Sequence, residues 1–347
     1  YPDGAIDGVF ASGGAEANHT AVLCALTHSA PGFAREGVRA LGASPLIYVS
    51  AFSHDSVLKA ARLCGLGTDA VRIIAVDAKL RLAPAAVAAA MERDRAAGSR
   101  PVMLVVTAGS TSAGVVDDIA GLVAVAARHG VWFHVDAAWG GMAALLPELR
   151  PLLAGIERAD SITFDAHKSL STPMGAGIFL TRHPDILERT FRVSADYMPR
   201  DGAKITEHAI DPFAHSMQWS RRFTGLKLFL SLAVAGWEGY AAALRHQVAM
   251  GERLRKRARA DGWQIVNDTP LPLALLTDAG GKDAAAVAQA VVASGEAWVS
   301  SVRLPAGETA IRACITNYRT QTADVDALIA SLGRARAALG SAYGGAR

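Results

Sequence analysis

Lys168 stands where an amine could take part in chemistry. It ends the stretch SITFDAHK, an apolar run that predicts a buried strand, and the small residues of SLSTPMGAG follow it. Most of the seven lysines lie in polar or helix-surface contexts. Burial lowers the pKa of a lysine amine and frees its lone pair, as a Schiff base with a carbonyl compound requires. Taken singly, Lys168 fits an ordinary loop lysine equally well.

Asp136 follows the apolar run VWFHV directly and precedes Lys168 by 32 residues. A carboxylate at the end of a buried strand is costly unless a cation or hydrogen-bond donors accompany it. A helix cap or an arginine partner would meet that need without any role in catalysis. The functional interpretations are a metal ligand, a general base, or a partner for a protonated ring nitrogen.

A turn of small residues, Ser12-Gly13-Gly14-Ala15, leads from a predicted strand into a helix. Gly14 and Ala15 allow backbone amides to approach an anion, and the N-terminus of a helix favours negative charge. The turn alone is weak support for an anion site. Neither GxGxxG nor GxxxxGK followed by Ser or Thr is present, which disfavours a dinucleotide or a nucleoside triphosphate.

His54 follows a predicted strand and opens a helix in VSAFSHDSVLKAA. A histidine there commonly makes a local hydrogen bond, and its functional use would be a ring stacked on a flat cofactor. The rival use is a metal site formed with His134, Asp136 and His167. No HExxH or CxxC spacing is present, so we predict no bound metal. A GxSxG nucleophile elbow is also absent, which disfavours a serine hydrolase.

One ligand accounts for all four features. Pyridoxal 5′-phosphate (PLP) has a phosphate for the glycine turn, an aldehyde for Lys168, a pyridine nitrogen for Asp136 and a flat face for His54. A lysine Schiff base with an acidic partner on the ring nitrogen is the usual arrangement around this cofactor. Together these residues predict a PLP site.

Strands and helices alternate along the first two-thirds of the chain. SPLIYVS (44–50) and VWFHVDAAWGG (131–141) are examples of the predicted strands. The alternation predicts an α/β fold, in which helices flank a mostly parallel sheet. Ligands of such sheets bind beyond the carboxyl ends of the strands, and Thr107, Asp136 and Asp165 fall at such ends.

The pattern changes after about Gly236. Helices rich in Ala and Arg, such as YAAALRHQVAMGERLRKRARADG, flank the shorter predicted strands WQIVND, PLALLTD and TAIRACITN. We therefore predict two domains. A large PLP-binding domain covers residues 1–238, and a smaller C-terminal α/β domain covers residues 239–347.

Bulk composition excludes several classes of protein. A formal net charge of +3 over 347 residues gives no argument for nucleic acid or a membrane surface. Cys24, Cys64 and Cys314 are far apart and form no disulfide framework, so a reducing, cytoplasmic compartment is expected. No apolar run is long enough to span a bilayer. The chain begins at Tyr1, which leaves open whether a preceding segment is missing.

The sequence resembles the group II PLP-dependent amino-acid decarboxylases, the aromatic-L-amino-acid, glutamate and histidine decarboxylase relatives. Six stretches occur in the order seen in that family: GVFASGGAEAN, SAFSHDSVLKAARLCGLG, VTAGSTSAGVVDDI, WFHVDAAWGG, ADSITFDAHKSL and QWSRRFTGLKLF. The resemblance covers nearly the whole chain. It implies fold type I, with a smaller C-terminal α/β domain, and a homodimer, because sites in this family lie at the subunit interface. The family's helical segment before the glycine turn has no counterpart here.

The resemblance also implies a role for each matching residue near the cofactor ring. Lys168 would hold the cofactor covalently, and Asp136 would keep the pyridine nitrogen protonated. Ala138 and His54 would lie against the two faces of the ring. Thr107 would face the cofactor near its phenolic oxygen.

Other matching residues would serve the phosphate and the substrate. Gly14 and Ala15 would present backbone amides to the phosphate. Asp165 and His167 would hold the phosphate end and the neighbouring lysine in place. Arg312, in AIRACITN, matches an arginine that approaches the substrate in some relatives.

The implied activity is decarboxylation of an L-amino acid, with an aromatic one favoured, to the amine and CO2 through an external aldimine. Many relatives protonate Cα with a loop tyrosine, and the residue nearest that position here is Phe213, which has no acidic proton. Relatives with phenylalanine there tend to oxidise the carbanion with oxygen, so an aldehyde synthase is the alternative. His215 or Tyr197 would supply the proton in an amine-forming enzyme. An aminotransferase, a lyase, or a binding protein on the same fold also stays open.

Overall fold

The computed structural model describes residues 1, 6–193 and 211–344 of the 347-residue chain. Tyr197, a suggested proton donor, lies outside these residues. The strands are β1 (Asp7–Ala11), β2 (Pro45–Ser50), β3 (Val71–Ile74), β4 (Arg100–Thr107), β5 (Trp132–Asp136), β6 (Ser161–Asp165), β7 (Gly177–Thr181), β8 (Trp263–Ile265), β9 (Leu273–Asp278), β10 (Ser300–Arg303) and β11 (Thr309–Cys314).

Helices connect most of these strands. They are α1 (Gly14–Ser29), α2 (Phe33–Glu36), α3 (Ser56–Leu63), α4 (Pro84–Ala96), α5 (Ile119–His129), α6 (Ala166–Ser169), α7 (Ile186–Phe191), α8 (Gly225–Ala260), α9 (Ala284–Ser294) and α10 (Thr322–Gly344). No helix within the described ranges combines the length and the apolar character that crossing a bilayer would need.

The larger sheet has seven strands in the order β1-β7-β6-β5-β4-β2-β3. β7 is antiparallel to both neighbours, and the pairs from β6 to β3 are parallel. The predicted α/β fold with a mostly parallel sheet is therefore confirmed. The predicted strand 44–50 corresponds to β2, and the predicted strand 131–141 contains β5 but extends beyond its end at Asp136.

Both faces of the larger sheet are covered by helices. Side chains alternate along a strand, so Leu104 and Val106 of β4 pack with α4 and α5, while Met103 and Val105 pack on the opposite face with α1 and α3. Burial on both faces explains why the sequence of β4 is an almost continuous apolar run rather than an alternating one.

A second sheet lies in the C-terminal part of the chain. Its four strands are antiparallel, in the order β10-β11-β9-β8, and apolar residues of α8, α9 and α10 cover one face. The predicted domain boundary at residue 238 falls inside α8, a helix of 36 residues whose regular geometry is interrupted at Gly236 (φ 63°). The division into domains 1–238 and 239–347 stays a prediction.

The C-terminal part contacts the loop that follows β4. Asn267 donates from its side-chain amide to the Ala113 carbonyl at 2.7 Å, and the Thr269 hydroxyl donates to the Gly114 carbonyl at 2.7 Å. Both side chains are buried. These contacts hold the second sheet beside the carboxyl end of β4, where Thr107 lies.

Candidate functional site

The predicted site residues on the sheet meet at one edge. Thr107 ends β4, Asp136 ends β5, and the strand register places the two residues directly side by side. Asp165 ends β6, which runs parallel to β5. Because these three strands are parallel, their last residues share the carboxyl edge, where ligands of open α/β sheets bind.

Asp136 is nearly fully buried and holds two hydrogen bonds. Its Oδ2 accepts from the Asn18 side-chain amide at 2.8 Å, and its Oδ1 accepts from the Ala138 backbone N–H at 3.1 Å. Among the described residues no lysine or arginine pairs with this carboxylate. A buried carboxylate without a cation is suited to a positively charged ligand group, such as a pyridinium nitrogen.

Asn18 is a site residue that sequence reasoning missed. It lies one turn into α1 beyond Gly14 and is 2% exposed. Its amide nitrogen donates to Asp136 and also to the Ser56 hydroxyl, at 2.8 Å each. No local signal pointed to Asn18, because α1 also buries Thr20 and Thr27, and only the folded chain shows which polar side chain reaches Asp136.

A further buried polar residue, His134, lies behind Asn18. The His134 Nε2 atom is 3.1 Å from Asn18 Oδ1, and its Nδ1 atom is 2.8 Å from the Ser161 hydroxyl. Burial, which desolvates the ring, lowers the pKa of His134 to about 4. Both ring nitrogens are thus taken by protein groups, and the metal-ligand interpretation of His134 gains no support.

The neutral state of His134 predicts sensitivity to acid. The ordinary pKa is 6.5 and the folded-state pKa is about 4, so between these values the unfolded chain binds more protons. The free energy of unfolding should therefore fall as the pH drops through this window, by roughly 3 kcal/mol from this residue. Urea unfolding of wild type and His134→Gln, from neutral pH to about pH 4, measures it. His246→Gln is the control, and equal pH slopes for wild type and His134→Gln would contradict the expectation.

Lys168 lies on α6, immediately beyond β6. Its Nζ atom is 3.2 Å from Asp165 Oδ2, and about a third of its side chain is exposed. Asp165 is buried, and its Oδ1 atom has no hydrogen-bond partner among the described residues. His167 is near the same carboxylate, and its Nε2 atom is 3.7 Å from Asp165 Oδ2. The amine is therefore held at the sheet edge while remaining open on one side.

The glycine turn closes over these residues. A Cβ atom on Gly14 would lie 2.9 Å from Asp165 Oδ2 and 3.3 Å from the Ala138 Cβ, so this position leaves little room for a side chain. The N–H groups of Glu16 and Ala17 bond to the Gly13 carbonyl. The backbone N–H groups of Gly14 and Ala15 come before the first hydrogen bonds within α1. They are therefore available to an anion.

Two other predicted residues flank the same edge. His54 precedes α3 and is exposed, and its Nδ1 atom accepts the Ser56 backbone N–H at 3.1 Å. Thr107 is buried and its backbone N–H donates to Asp117 Oδ2 at 2.8 Å. Burial raises the pKa of Asp117 to about 6. Ser53, next to His54 in the sequence, connects the His54 segment to Thr107. Its hydroxyl oxygen is 3.5 Å from the Thr107 hydroxyl oxygen.

Two other predicted residues, Arg312 and Phe213, make their contacts outside the group of residues around Lys168. Arg312, on β11, donates from Nε to the Thr111 carbonyl at 2.7 Å, in the loop after β4. The Phe213 ring packs against Trp219, with 4.8 Å between ring centroids. The neighbouring His215 pairs with Asp7, at the opposite end of β1 from the glycine turn. Within one chain the structure does not bring Phe213 or His215 together with Lys168, and their roles stay predictions.

The arrangement fits PLP on its own chemistry. A partly open amine, a buried carboxylate that no lysine or arginine of the described residues pairs with, and available helix N-terminal amides lie around one edge of the sheet. Asp165 Oδ1, which has no partner within the part of the chain that the structure describes, marks a polar environment that a ligand group would complete. Lys168, Asp136, and the turn at Gly14 would hold the aldehyde carbon, the ring nitrogen and the phosphate.

Comparisons with known proteins agree with this interpretation. An aromatic-L-amino-acid decarboxylase of Bacillus atrophaeus is 32% identical over 278 residues, which are 80% of this chain and 55% of the relative. A cysteine sulfinic acid decarboxylase of Mus musculus is 34% identical over 266 residues, 75% of this chain and 53% of the relative. The chain thus spans about half the length of these curated relatives.

A similar solved structure is Oryza sativa TDC with PLP and tryptamine. It has a TM-score of 0.86 and 27% sequence identity, and the match covers 95% of this chain and 71% of that chain. The profile of the pyridoxal-dependent decarboxylase conserved domain matches residues 2–274. The chain therefore belongs to the pyridoxal-dependent decarboxylase family.

Proposed function

We propose that the chain catalyses PLP-dependent decarboxylation of an L-amino acid to the amine and CO2. The observation that carries the proposal is the position of the Lys168 amine and the buried Asp136 carboxylate at the ends of adjacent parallel strands. The family match and the decarboxylase relatives support it. The activity belongs to carboxy-lyases.

PLP supplies, when bound, an electron sink for the carbanion that forms as CO2 leaves. Lys168 would supply the amine that holds the cofactor. Asp136 would hold a proton on the pyridine nitrogen by its negative charge. His54 and Ala138 would lie against the ring, and the turn at Gly14 would bind the phosphate. These residues act by orientation and electrostatics.

We favour an aromatic amino acid as the substrate. The Bacillus atrophaeus relative is named for aromatic amino acids, and the matching Oryza sativa structure holds tryptamine, an aromatic amine. The Mus musculus relative is named for an acidic substrate, so cysteine sulfinic acid is the competing candidate. Arg312 is the residue of the C-terminal part that we propose to approach the substrate.

A panel of L-amino acids tests the activity. PLP-loaded protein is incubated with each one, and amine, aldehyde, CO2, keto acid and oxygen uptake are measured together. We expect amine and CO2 in equal amounts from an aromatic substrate. Aldehyde with oxygen uptake would indicate the aldehyde synthase predicted from Phe213, and keto acid without CO2 an aminotransferase. PLP binding without turnover of any amino acid would favour a binding protein.

We further propose a homodimer whose interface includes the first half of α8. The segment that leads into α8 and the first half of this helix carry large apolar side chains that are about half exposed or more within one chain: Trp219, Phe223, Phe229, Leu230, Val234 and Trp237. Exposed apolar surface is typical of protein–protein interfaces. A second copy of the chain is the partner that we propose.

Phe229→Asp tests this interface. Phe229 is 65% exposed, and burying a charge in its place should raise the dimer dissociation constant by at least about 30-fold. Analytical ultracentrifugation over a concentration series measures the change. Leu63→Asp, at a residue 63% exposed on α3, is the control that should leave the dimer intact. A monomeric wild type, or equal effects of both variants, would contradict the proposal.

We place the protein in the cytoplasm. All three cysteines, Cys24, Cys64 and Cys314, are free thiols, and burial raises the pKa of each. Free thiols suit a reducing compartment.

A further inference from the structure

We propose that Asn18 is the positioning residue that holds Asp136 as an ionised acceptor for the pyridine nitrogen of the cofactor. A buried hydrogen-bond chain that begins at Trp132 fixes the orientation of Asn18. The inference rests on the proposed function, because it concerns the PLP site of that reaction.

The orientation of the Asn18 amide follows from its partner. An ionised carboxylate only accepts hydrogen bonds, so the NH₂ group of Asn18, at 2.8 Å, must face Asp136 Oδ2. The carbonyl oxygen of the same amide then faces His134 Nε2, at 3.1 Å. His134 Nε2 must therefore carry a hydrogen and donate it to Asn18 Oδ1.

The tautomer of His134 follows in turn. With its pKa lowered to about 4 by burial, the ring is neutral at physiological pH and carries one hydrogen. That hydrogen is on Nε2, which is closer to Asn18 than to the Thr163 hydroxyl at 3.4 Å. Nδ1 is then a bare acceptor, and the Ser161 hydroxyl donates to it at 2.8 Å.

The hydrogen-bond chain begins at an indole that can only donate. Trp132 Nε1 donates to the Ser161 oxygen at 2.8 Å, which leaves the hydroxyl hydrogen of Ser161 for His134. Every donor from Trp132 to Asn18 therefore points toward Asp136. Aligned hydrogen bonds in a buried environment polarise one another, and the amide at the end of the chain stabilises negative charge on Asp136.

Asn18 also connects to the stacking histidine. The second hydrogen of its amide goes to the Ser56 hydroxyl, and the Ser56 backbone N–H goes to His54 Nδ1 at 3.1 Å. One buried side chain thus ties the partner of the ring nitrogen to the segment that carries His54. An amide does not titrate, so Asn18 can orient Asp136 without competing for the proton of the pyridine nitrogen.

The experiment compares two cofactors on two proteins. Apoprotein of wild type and of Asn18→Leu is titrated with PLP and with 1-deazapyridoxal phosphate, in which carbon replaces the pyridine nitrogen. Dissociation constants are read from the visible absorbance of the lysine-bound cofactor. We expect Asn18→Leu to weaken PLP binding about 10- to 100-fold and analogue binding less than about threefold, because only PLP offers a proton to Asp136.

The outcomes separate the inference from the proposed function. Equal weakening of PLP and analogue binding by Asn18→Leu would make Asn18 a packing residue and overturn the inference, while the PLP site stands. No PLP binding by wild type, or no preference for PLP over the analogue, would overturn the proposed site itself.

Two further variants keep the test valid if Asn18→Leu does not fold. Ser161→Ala removes the donor to His134 Nδ1 and frees the tautomer, so it should lower the preference for PLP about 3- to 10-fold. An unchanged preference for PLP over the analogue would count against the role of the hydrogen-bond chain. Asn267→Leu is the matched control, since Asn267 is another buried asparagine with two donated hydrogen bonds. It should lower stability and leave the preference at the wild-type value.

Discussion

Lys168→Ala is expected to abolish the visible absorbance band of the lysine-bound cofactor and to reduce decarboxylation on the order of 10³-fold or more. The variant removes the only amine that the structure places beside Asp165 at the cofactor edge of the sheet, among the described residues. PLP then binds without a covalent bond, and the exchange with the substrate amine is lost. Absorbance spectra and single-turnover release of CO2 measure both effects.

Lys168→Arg separates the amine from its charge. The guanidinium preserves a positive group near Asp165 but forms no Schiff base, so we expect this variant to be as inactive as Lys168→Ala. Lys79→Ala is the control, since Lys79 is an exposed lysine in the segment that follows β3. A small primary amine added to Lys168→Ala should restore part of the CO2 release. Wild-type absorbance in Lys168→Ala would contradict the assigned role.

Asp136→Asn is expected to lower kcat by about 10²- to 10³-fold with a smaller change in KM. The substitution keeps the shape of the side chain and its hydrogen-bond acceptor for Asn18, and it removes the negative charge. Without that charge the pyridine nitrogen loses its proton and the ring accepts electrons less well. Steady-state kinetics on the substrate found in the panel measures the split between kcat and KM.

The control for charge removal is Asp160→Asn. Asp160 precedes β6, at the opposite edge of the sheet, and pairs with Arg182 and His183. Its substitution removes a largely buried carboxylate of equal charge and should lower stability without the loss in kcat. An Asp136→Asn variant with wild-type kcat would show that the ring nitrogen does not need this carboxylate.

Much of the fold was predictable because its signals are local. The strand β5 is a short apolar run followed at once by Asp136, and such a run can be recognised within about ten residues. The same holds for β6 and Lys168, where a buried strand ends and small residues begin. The antiparallel direction of β7 and the position of β1 at the edge were not readable, because strand order depends on how helices and loops pack.

The hydrogen-bond chain behind Asp136 shows the limit most clearly. Asn18 and Asp136 are 118 residues apart, and no pattern around either residue indicates the other. The sequence left His134 as a possible metal ligand. Only the packing of α1 on β5 and β6 shows that both of its ring nitrogens contact protein groups. The surroundings of Phe213 also could not be read from the sequence, because only the folded chain shows that its ring packs on Trp219.

The sequence by itself determined which residues could do chemistry and which elements carry them, because polarity and residue type at strand ends are properties of short segments. Only the tertiary structure decided which of those residues meet and in which orientation. Hydrogen bonds act over about 3 Å, and only the packing of distant segments sets distances on that scale. Asp136 could therefore be predicted from its place in the sequence, and Asn18 could be found only in the folded chain.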